Sequence, residues 1–221
     1  MNINKNFWKN AYKNTWNKSS KREMEVENLI YKESGMKVIP YGLGAETNSF
    51  IDGNAEDNGF KKGDADLNIK GTNIFLEVTG PLSDFVKGNE PLWFRPDKIK
   101  NAKTNIHIHD TFLVHNCPSE NLWRIIHIDN DFIKRFDAGE FPIVTPTIRG
   151  NKETYIEISP TDSCVKDISI LIQYIISKYN KKCPLCGNNL VKRKAYHGPT
   201  AGKHFWGCSS FPKCKYTESI K

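Results

Sequence analysis

The chain has 221 residues, 38% hydrophobic, 11% aromatic and 26% charged, which is enough apolar material for one domain of ordinary size plus a small module. Its longest apolar stretch, 168–176, is broken by Ser169, Gln173 and Tyr174, which excludes a membrane span there; its first ten residues hold no apolar run, so no secretory signal and a cytoplasmic location are expected. The net charge of +7 divides unevenly: six basic and no acidic residues in 1–22, nine basic and one acidic in 180–221, and an acidic excess between, which predicts a polyanionic partner held by the ends.

Residues 1–20 place Phe7, Trp8, Tyr12 and Trp16 among lysines and read as a basic arm, or as a helix packing its aromatics on the domain. A helix follows over 20–34, with Val26, Leu29 and Ile30 on its apolar face and Gly35 as its stop. Residues 37–41 alternate like a strand, and the Gly-, Asn- and Asp-rich stretch 42–63 reads as a long loop of functional length. Two strands, 64–70 and 73–79, flank Gly71-Thr72, which suits a two-residue hairpin turn with glycine first. A helix over 95–105 and strands over 111–116 and 122–128 complete the order α, β, β, β, α, β, β.

Farther on, 130–139 reads as a short helix, 143–149 and 153–159 as a hairpin around Gly150-Asn151, and 165–179 as a helix capped by Asp162. His107 and His109 would share a face if their segment were extended, which makes them a candidate metal pair. Cys117 and Cys164 read as apolar filler.

The hairpin register carries chemical information. A Gly71-Thr72 turn sets Asp66 opposite Glu77, two carboxylates on one face with Cβ atoms roughly 5 Å apart. Such a pair repels unless a cation lies between, and Mg²⁺ is commonly held by one or two carboxylates plus waters and a phosphate oxygen. Asp64 and Thr79 share that face.

The last 39 residues hold Cys183, Cys186, Cys208 and Cys214, spaced C-x2-C, 21 residues, C-x5-C. Outside an oxidising compartment this predicts a closed four-thiolate zinc site whose metal supplies the folding energy of a segment too short for its own core.

Two resemblances follow from these residues. The segment CPLCGNNLVKRKAYHGPTAGKHFWGCSSFPKCKYT resembles the C4 zinc finger at the C-terminus of type IA DNA topoisomerases, with its CPxCG knuckle, basic strand and aromatic before GCSxFPxC. It implies a small zinc ribbon that binds DNA, double- or single-stranded. Lys192, Arg193, Lys194, Lys203 and Lys213 suit phosphates, and Phe205, Trp206 and Tyr216 offer faces for bases, with part of the aromatic set expected in the ribbon's core.

The body resembles the PD-(D/E)XK nuclease superfamily, in Gly63-Asp64-Ala65-Asp66 followed after ten residues by Glu77-Val78-Thr79. This implies a mixed α/β (α+β), restriction-endonuclease-like sheet flanked by helices over 21–180, with the zinc ribbon over 181–221. It also implies a metal-dependent DNA endonuclease of restriction, phage-defence or mobile-element type, a Mg²⁺ or Mn²⁺ held by Asp66, Glu77 and the Val78 carbonyl, and a first-helix acid in Glu25 or Glu27. Thr79 stands where the family has its lysine; Lys98, Lys70 and Lys87 are candidates to replace it. The other reading is a non-catalytic DNA-binding protein with a degenerate nuclease core. The architecture is compatible with a homodimer.

Overall fold

The computed structural model describes residues 16–43, 59, 64–81, 83, 85–148 and 151–219. The expected arm up to residue 15 and most of the expected loop at 42–63 lie outside the described residues. Two compact units divide the chain, 1–171 and 172–221. No described helix is long and apolar enough to cross a membrane.

Helix α1 (Trp16–Ser34) starts earlier than the sequence predicts. Arg22, Val26, Ile30 and Ser34 recur at helical spacing and are all buried, which defines its inward face. It ends where the Gly35 N–H donates to the Tyr31 carbonyl at 2.8 Å, with Gly35 at φ 71°, the left-handed C-terminal stop that glycine adopts freely.

Strands β1 (Val38–Pro40), β2 (Leu67–Ile69) and β3 (Ile74–Thr79) form an antiparallel meander. After β4 (Leu92–Phe94) and helix α2 (Pro96–Asn105), strand β5 (Asp110–Cys117) returns parallel to β3. Strand β6 (Leu122–His127) pairs antiparallel with β5. Pro96 at the first turn of α2 is placed where its missing N–H has no intrahelical partner to lose. The order α, β, β, β, α, β, β is present, with β4 added.

Helix α3 (Asn130–Asp137) is capped by Asp129, whose Oδ1 accepts from the Phe132 N–H at 2.9 Å. The expected hairpin at 143–159 forms in two pieces with one register. Strands β7 (Ile143–Val144) and β10 (Tyr155–Ile158) pair, and β8 (Thr147–Ile148) and β9 (Asn151–Lys152) pair closer to the turn.

Residues 165–167 are not the start of a helix, as the sequence reading had it, but strand β11 (Val165–Asp167), which extends the sheet beside β6. Helix α4 (Ile168–Tyr179) follows, and its cap is Asp167, whose Oδ1 accepts from Ser169 N at 2.8 Å. Asp162 instead receives two guanidinium bonds from Arg135, at 2.8 and 2.7 Å.

The result is a mixed six-stranded sheet in the order β1-β2-β3-β5-β6-β11. Helix α1 packs against β1 and β3. Leu113 and Ile126 of the sheet pack against Phe94, Ile99 and Ala102, then Phe132 and Ile133 of α3 and Ile156 and Ile158 of β10, in one continuous core. A second sheet, β4-β10-β7, belongs to that layer.

The Arg135–Asp162 pair ties α3 to the turn before β11. The Arg135 hydrogen bonds hold the Asp162 carboxyl far below the usual carboxylate range. A depressed carboxyl pKa contributes stability that is complete above the unfolded value and disappears as pH falls through the folded one. Asp162→Asn is therefore expected to lose about 1–3 kcal/mol at pH 7 by denaturant titration. The two proteins should converge as pH falls below about 4.

In the C-terminal unit, strands β12 (Leu190–Lys194), β13 (His204–Cys208) and β14 (Thr217–Ser219) make an antiparallel ribbon. Cys183, Leu190 and Cys208 form its small core, covered by Trp206, Cys214 and Tyr216.

Candidate active site and metal centre

The turn after β2 fixes the site. Leu67 pairs with Leu76 and Asn68 with Phe75, and the same register carried one step further sets Asp66 across from Glu77, as the sequence predicts. The turn itself differs. Gly71 is its second central residue, at φ 81°, with the Thr72 N–H donating to Ile69 O at 3.0 Å, so glycine serves the left-handed position of a type II turn. The Asn68 amide, buried, donates to Ile74 O at 2.9 Å and stiffens the connection.

Asp66 is held from two sides. Its carbonyl accepts the N–H groups of Tyr41 and Gly42, at 2.8 and 3.1 Å, and its Oδ2 accepts the Val78 N–H at 2.8 Å. Gly42 is required here, because a Cβ would stand 2.5 Å from the Ala65 carbonyl oxygen.

Lys98, in the first turn of α2, reaches the same point. Its Nζ lies 2.5 Å from Glu77 Oε2, 3.5 Å from Asp66 Oδ1 and 3.5 Å from the Asp64 carbonyl. Glu77 is 5% exposed in its side chain, while Asp66 and Lys98 keep 24% and 26%, so the site opens on the Asp66 and Lys98 side. Burial pushes the Glu77 carboxyl well above its ordinary range; Lys98 opposes that rise and Asp66 adds to it. Burial alone would lower the Lys98 ammonium, but Asp66 and Glu77 reverse this and hold it above its usual value. With both acids ionised, the three side chains carry one net negative charge. Two neighbouring carboxylates, reached from the Asp66 side, fit a divalent cation of the Mg²⁺ class.

Other sequence candidates fall elsewhere. Glu25 is exposed and pairs with Lys21 at 3.8 Å along the helix surface; Glu23 is the buried acid of α1. Thr79 lies in register with His115 of β5. His107 and His109 are not on a strand: they lie in and just after the turn that follows α2, and His109 stacks on Phe75 at 3.9 Å between centroids. Cys117 is buried, and its thiol lies 3.4 Å from the Val86 carbonyl.

The four C-terminal cysteines converge. Their sulfurs lie within 4.8 Å of one another, with Cys183 and Cys214 at 3.6 Å and Cys186 and Cys208 at 3.4 Å. A tetrahedron with Zn–S of about 2.3 Å has S···S edges of roughly 3.8 Å, so the cluster has the dimensions of a zinc site. Hydrogen bonds from Asn188 hold the Cys186 thiol down at about 6, so one of the four sulfurs has thiolate character before metal arrives, while the Cys208 thiol, which accepts from the Ser210 N–H at 3.4 Å, is pushed up by burial.

On the ribbon, Lys192 pairs with Trp206 and Arg193 with Phe205, while Lys194, Lys203 and Lys213 are exposed. Trp206 and Tyr216 pack against the cysteine core, which limits them as stacking faces. Tyr196 and Phe211 are the exposed rings, and Arg193 lies over Phe211 at 5.7 Å.

Residues 180–221 match the family described as topoisomerase DNA-binding C4 zinc finger, so this segment is a topoisomerase-type C4 zinc ribbon. The chain is 32% identical to a DNA topoisomerase 1 of Methanocaldococcus jannaschii over 84 residues, 38% of this chain and 10% of that protein. It is 50% identical over 38 residues to a DNA topoisomerase 1 of Mycoplasmoides gallisepticum, covering 17% of this chain and 5% of the other. An uncharacterized protein of Escherichia coli, YrdD, is 45% identical over 42 residues, 19% of this chain and 21% of its own length. The chain thus spans only a small part of these relatives. Among solved structures, D212, a nuclease from a fusselovirus, aligns at TM-score 0.41 and 18% identity over 72% of this chain and 92% of that one.

Proposed function

We propose that the chain is a metal-dependent DNA endonuclease. Asp66, Glu77 and Lys98 form the hydrolytic site, and the ribbon supplies affinity for DNA. The observation that carries the reading is the position of Lys98, 2.5 Å from Glu77 and 3.5 Å from Asp66. It supplies from α2 the ammonium that Thr79 cannot. That placement favours a working site over a degenerate, purely binding core. Two of the relatives are named DNA topoisomerase 1, and the basic strand Lys192–Lys194 fits a phosphate backbone.

Asp66 and Glu77, with the Val78 carbonyl beside them, would hold Mg²⁺ or Mn²⁺. Such an ion, when bound, polarises the scissile phosphate and lowers the pKa of a water. The protein's own groups do the rest. The Val78 N–H fixes the Asp66 carboxylate through Oδ2, leaving Oδ1 toward Lys98 at 3.5 Å. Lys98 orients the attacking water and stabilises charge developing on the phosphoryl oxygens. The water oxygen forms the new P–O bond and releases its proton to solvent, the bond to the 3′-oxygen breaks in line, and that oxygen takes up a proton from solvent to leave a 5′-phosphate and a 3′-hydroxyl. DNA is the expected substrate, in restriction, phage defence or element mobility.

Mn²⁺ binding to the zinc-loaded protein, followed by electron paramagnetic resonance, tests the metal assignment. Wild type should bind one Mn²⁺ with micromolar to millimolar affinity, and Asp66→Asn should weaken it at least about tenfold, the loss of one charged ligand. Equal affinity in the two proteins would remove Asp66 from the site.

A further inference from the structure

Beyond the C-terminal end of β3 lie three buried basic side chains that the proposed hydrolytic chemistry does not use. Arg22 arrives from α1, His115 from β5 and Arg124 from β6, and they are 6%, 4% and 6% exposed. Buried arginines normally meet carboxylates. Here Arg22 donates through Nη2 to the Pro81 carbonyl at 2.8 Å, and Arg124 through Nη1 to the Gly88 carbonyl at 2.7 Å. Arg124 Nη2 lies 3.4 Å from His115 Nδ1. Among the described residues neither guanidinium is hydrogen-bonded to an acid, and the Nε–H of each is buried with no acceptor.

The local charge is consistent with a missing anion. Burial, then Arg124, then Arg22 bring His115 down to about 3, so it is neutral at pH 7. Among the described residues, the acids that act on the arginines do so through charge without a hydrogen bond: Glu25 and Glu23 on Arg22, Glu120 on Arg124. Two buried cations with unfilled donors converging on a neutral imidazole are costly to hold together unless an anion completes them. Arginine's planar fork matches phosphate oxygens.

The cluster is also well placed. Thr79 pairs with His115 and His115 with Arg124, in one row across the sheet. Residues two apart on a strand share a face, so this row lies on the face of Glu77, roughly 7 Å farther along β3. The chain bends sharply there. Gly80, at φ 153°, passes so close that a Cβ would stand 2.1 Å from the Asn116 carbonyl oxygen and 3.3 Å from Arg22 Cζ.

We propose that Arg22, His115 and Arg124 form a phosphate-binding subsite that holds a phosphate of the nucleic-acid strand next to the one cleaved. The proposal rests on the nuclease reading for its substrate. The phosphate is either an internal phosphodiester or a terminal phosphomonoester, and the chemistry of recognition is the same for both.

Inorganic phosphate is the first probe. It is titrated into the zinc-loaded full chain at constant ionic strength, with unfolding temperature as the readout. Wild type should be stabilised in a saturable way, Arg124→Gln should lose the effect, and the exposed Lys134→Gln should keep it. No saturable stabilisation of wild type, or the same stabilisation in Arg124→Gln, overturns the subsite.

Because Arg124→Gln removes a buried group and could fail to fold, a second arm leaves the protein intact. Neutral methylphosphonates are placed one at a time along an oligonucleotide, and binding is measured with Ca²⁺ so that no cleavage is needed. One position other than the cut should weaken binding about tenfold if an internal phosphodiester is held. If a terminal phosphate is held, a 5′-phosphorylated oligonucleotide should bind about tenfold better than its 5′-hydroxyl form. Changes under twofold in both comparisons overturn the proposal. Phosphate binding without any cleavage would keep the subsite and reject the nuclease reading; cleavage without phosphate binding would do the reverse.

Discussion

Lys98→Met should lower the rate of DNA cleavage by about 10²–10³-fold while leaving DNA affinity in Ca²⁺ within about threefold of wild type. The expectation follows from what Lys98 touches. Its ammonium is the cation beside Glu77 and Asp66, in the first unit, whereas the ribbon lies in the second. Methionine keeps the unbranched apolar stem and removes the ammonium with its charge and donors. The substitution also leaves two facing carboxylates with no cation between them, one of them almost fully buried. The metal-free protein should therefore lose about 1–3 kcal/mol of stability, and added Mg²⁺ should stabilise the variant more than wild type. Lys98→Arg should recover stability better than rate, because a planar guanidinium does not place a point charge where the ammonium stood. Equal cleavage by Lys98→Met and wild type would show that this lysine is structural and would revive the binding-only reading.

The second large effect is expected at the ribbon. Cys208→Ser, or removal of zinc with a strong chelator, should unfold the C-terminal unit. Its core is little more than Leu190 and the cysteines themselves, with Trp206 and Tyr216 over them. In such small units metal binding supplies on the order of 10 kcal/mol of apparent folding free energy. Zinc content should fall from one per chain to near zero. DNA affinity should drop about 10²-fold, and its dependence on salt should flatten as the contacts of Lys192, Lys194, Lys203 and Lys213 are lost. The Mn²⁺ site should survive, because Asp66, Glu77 and Lys98 all lie in the first unit. Unchanged DNA affinity with the zinc gone would move the binding surface to the first unit.

Some of this was legible in the sequence because local chemistry dictates it. Cysteine spacing alone located the ribbon, since a tetrahedral metal leaves little freedom once four thiolates are at these positions. The facing of Asp66 and Glu77 was legible because alternation and the turn set the register, even though the turn is of another type, with Gly71 second and not first. Strands β4 and β11 were not legible. Each is three residues long and exists because a partner strand supplies its hydrogen bonds, a tertiary fact with no local signature.

Lys98 stands out in the sequence from Lys70 and Lys87 only because it lies on the helix that follows the acid pair. What selects it is the entry of α2 beside β3, which points its first turn at Glu77. Arg22 and Arg124 were hidden for the opposite reason. An arginine in a sequence reads as surface, and only the fold reveals that these two are buried with donors unfilled.

The most direct test of the nuclease assignment is cleavage of supercoiled plasmid and of single-stranded DNA with Mg²⁺ or Mn²⁺, with Glu77→Ala purified in parallel. Glu77 is the buried half of the acid pair and the closest contact of Lys98. Cleavage by wild type, lost by about 10³-fold or more in Glu77→Ala while both proteins bind DNA in Ca²⁺, is the predicted result. Equal cleavage by both proteins, or none by wild type on either substrate with DNA and Mn²⁺ bound, would contradict it.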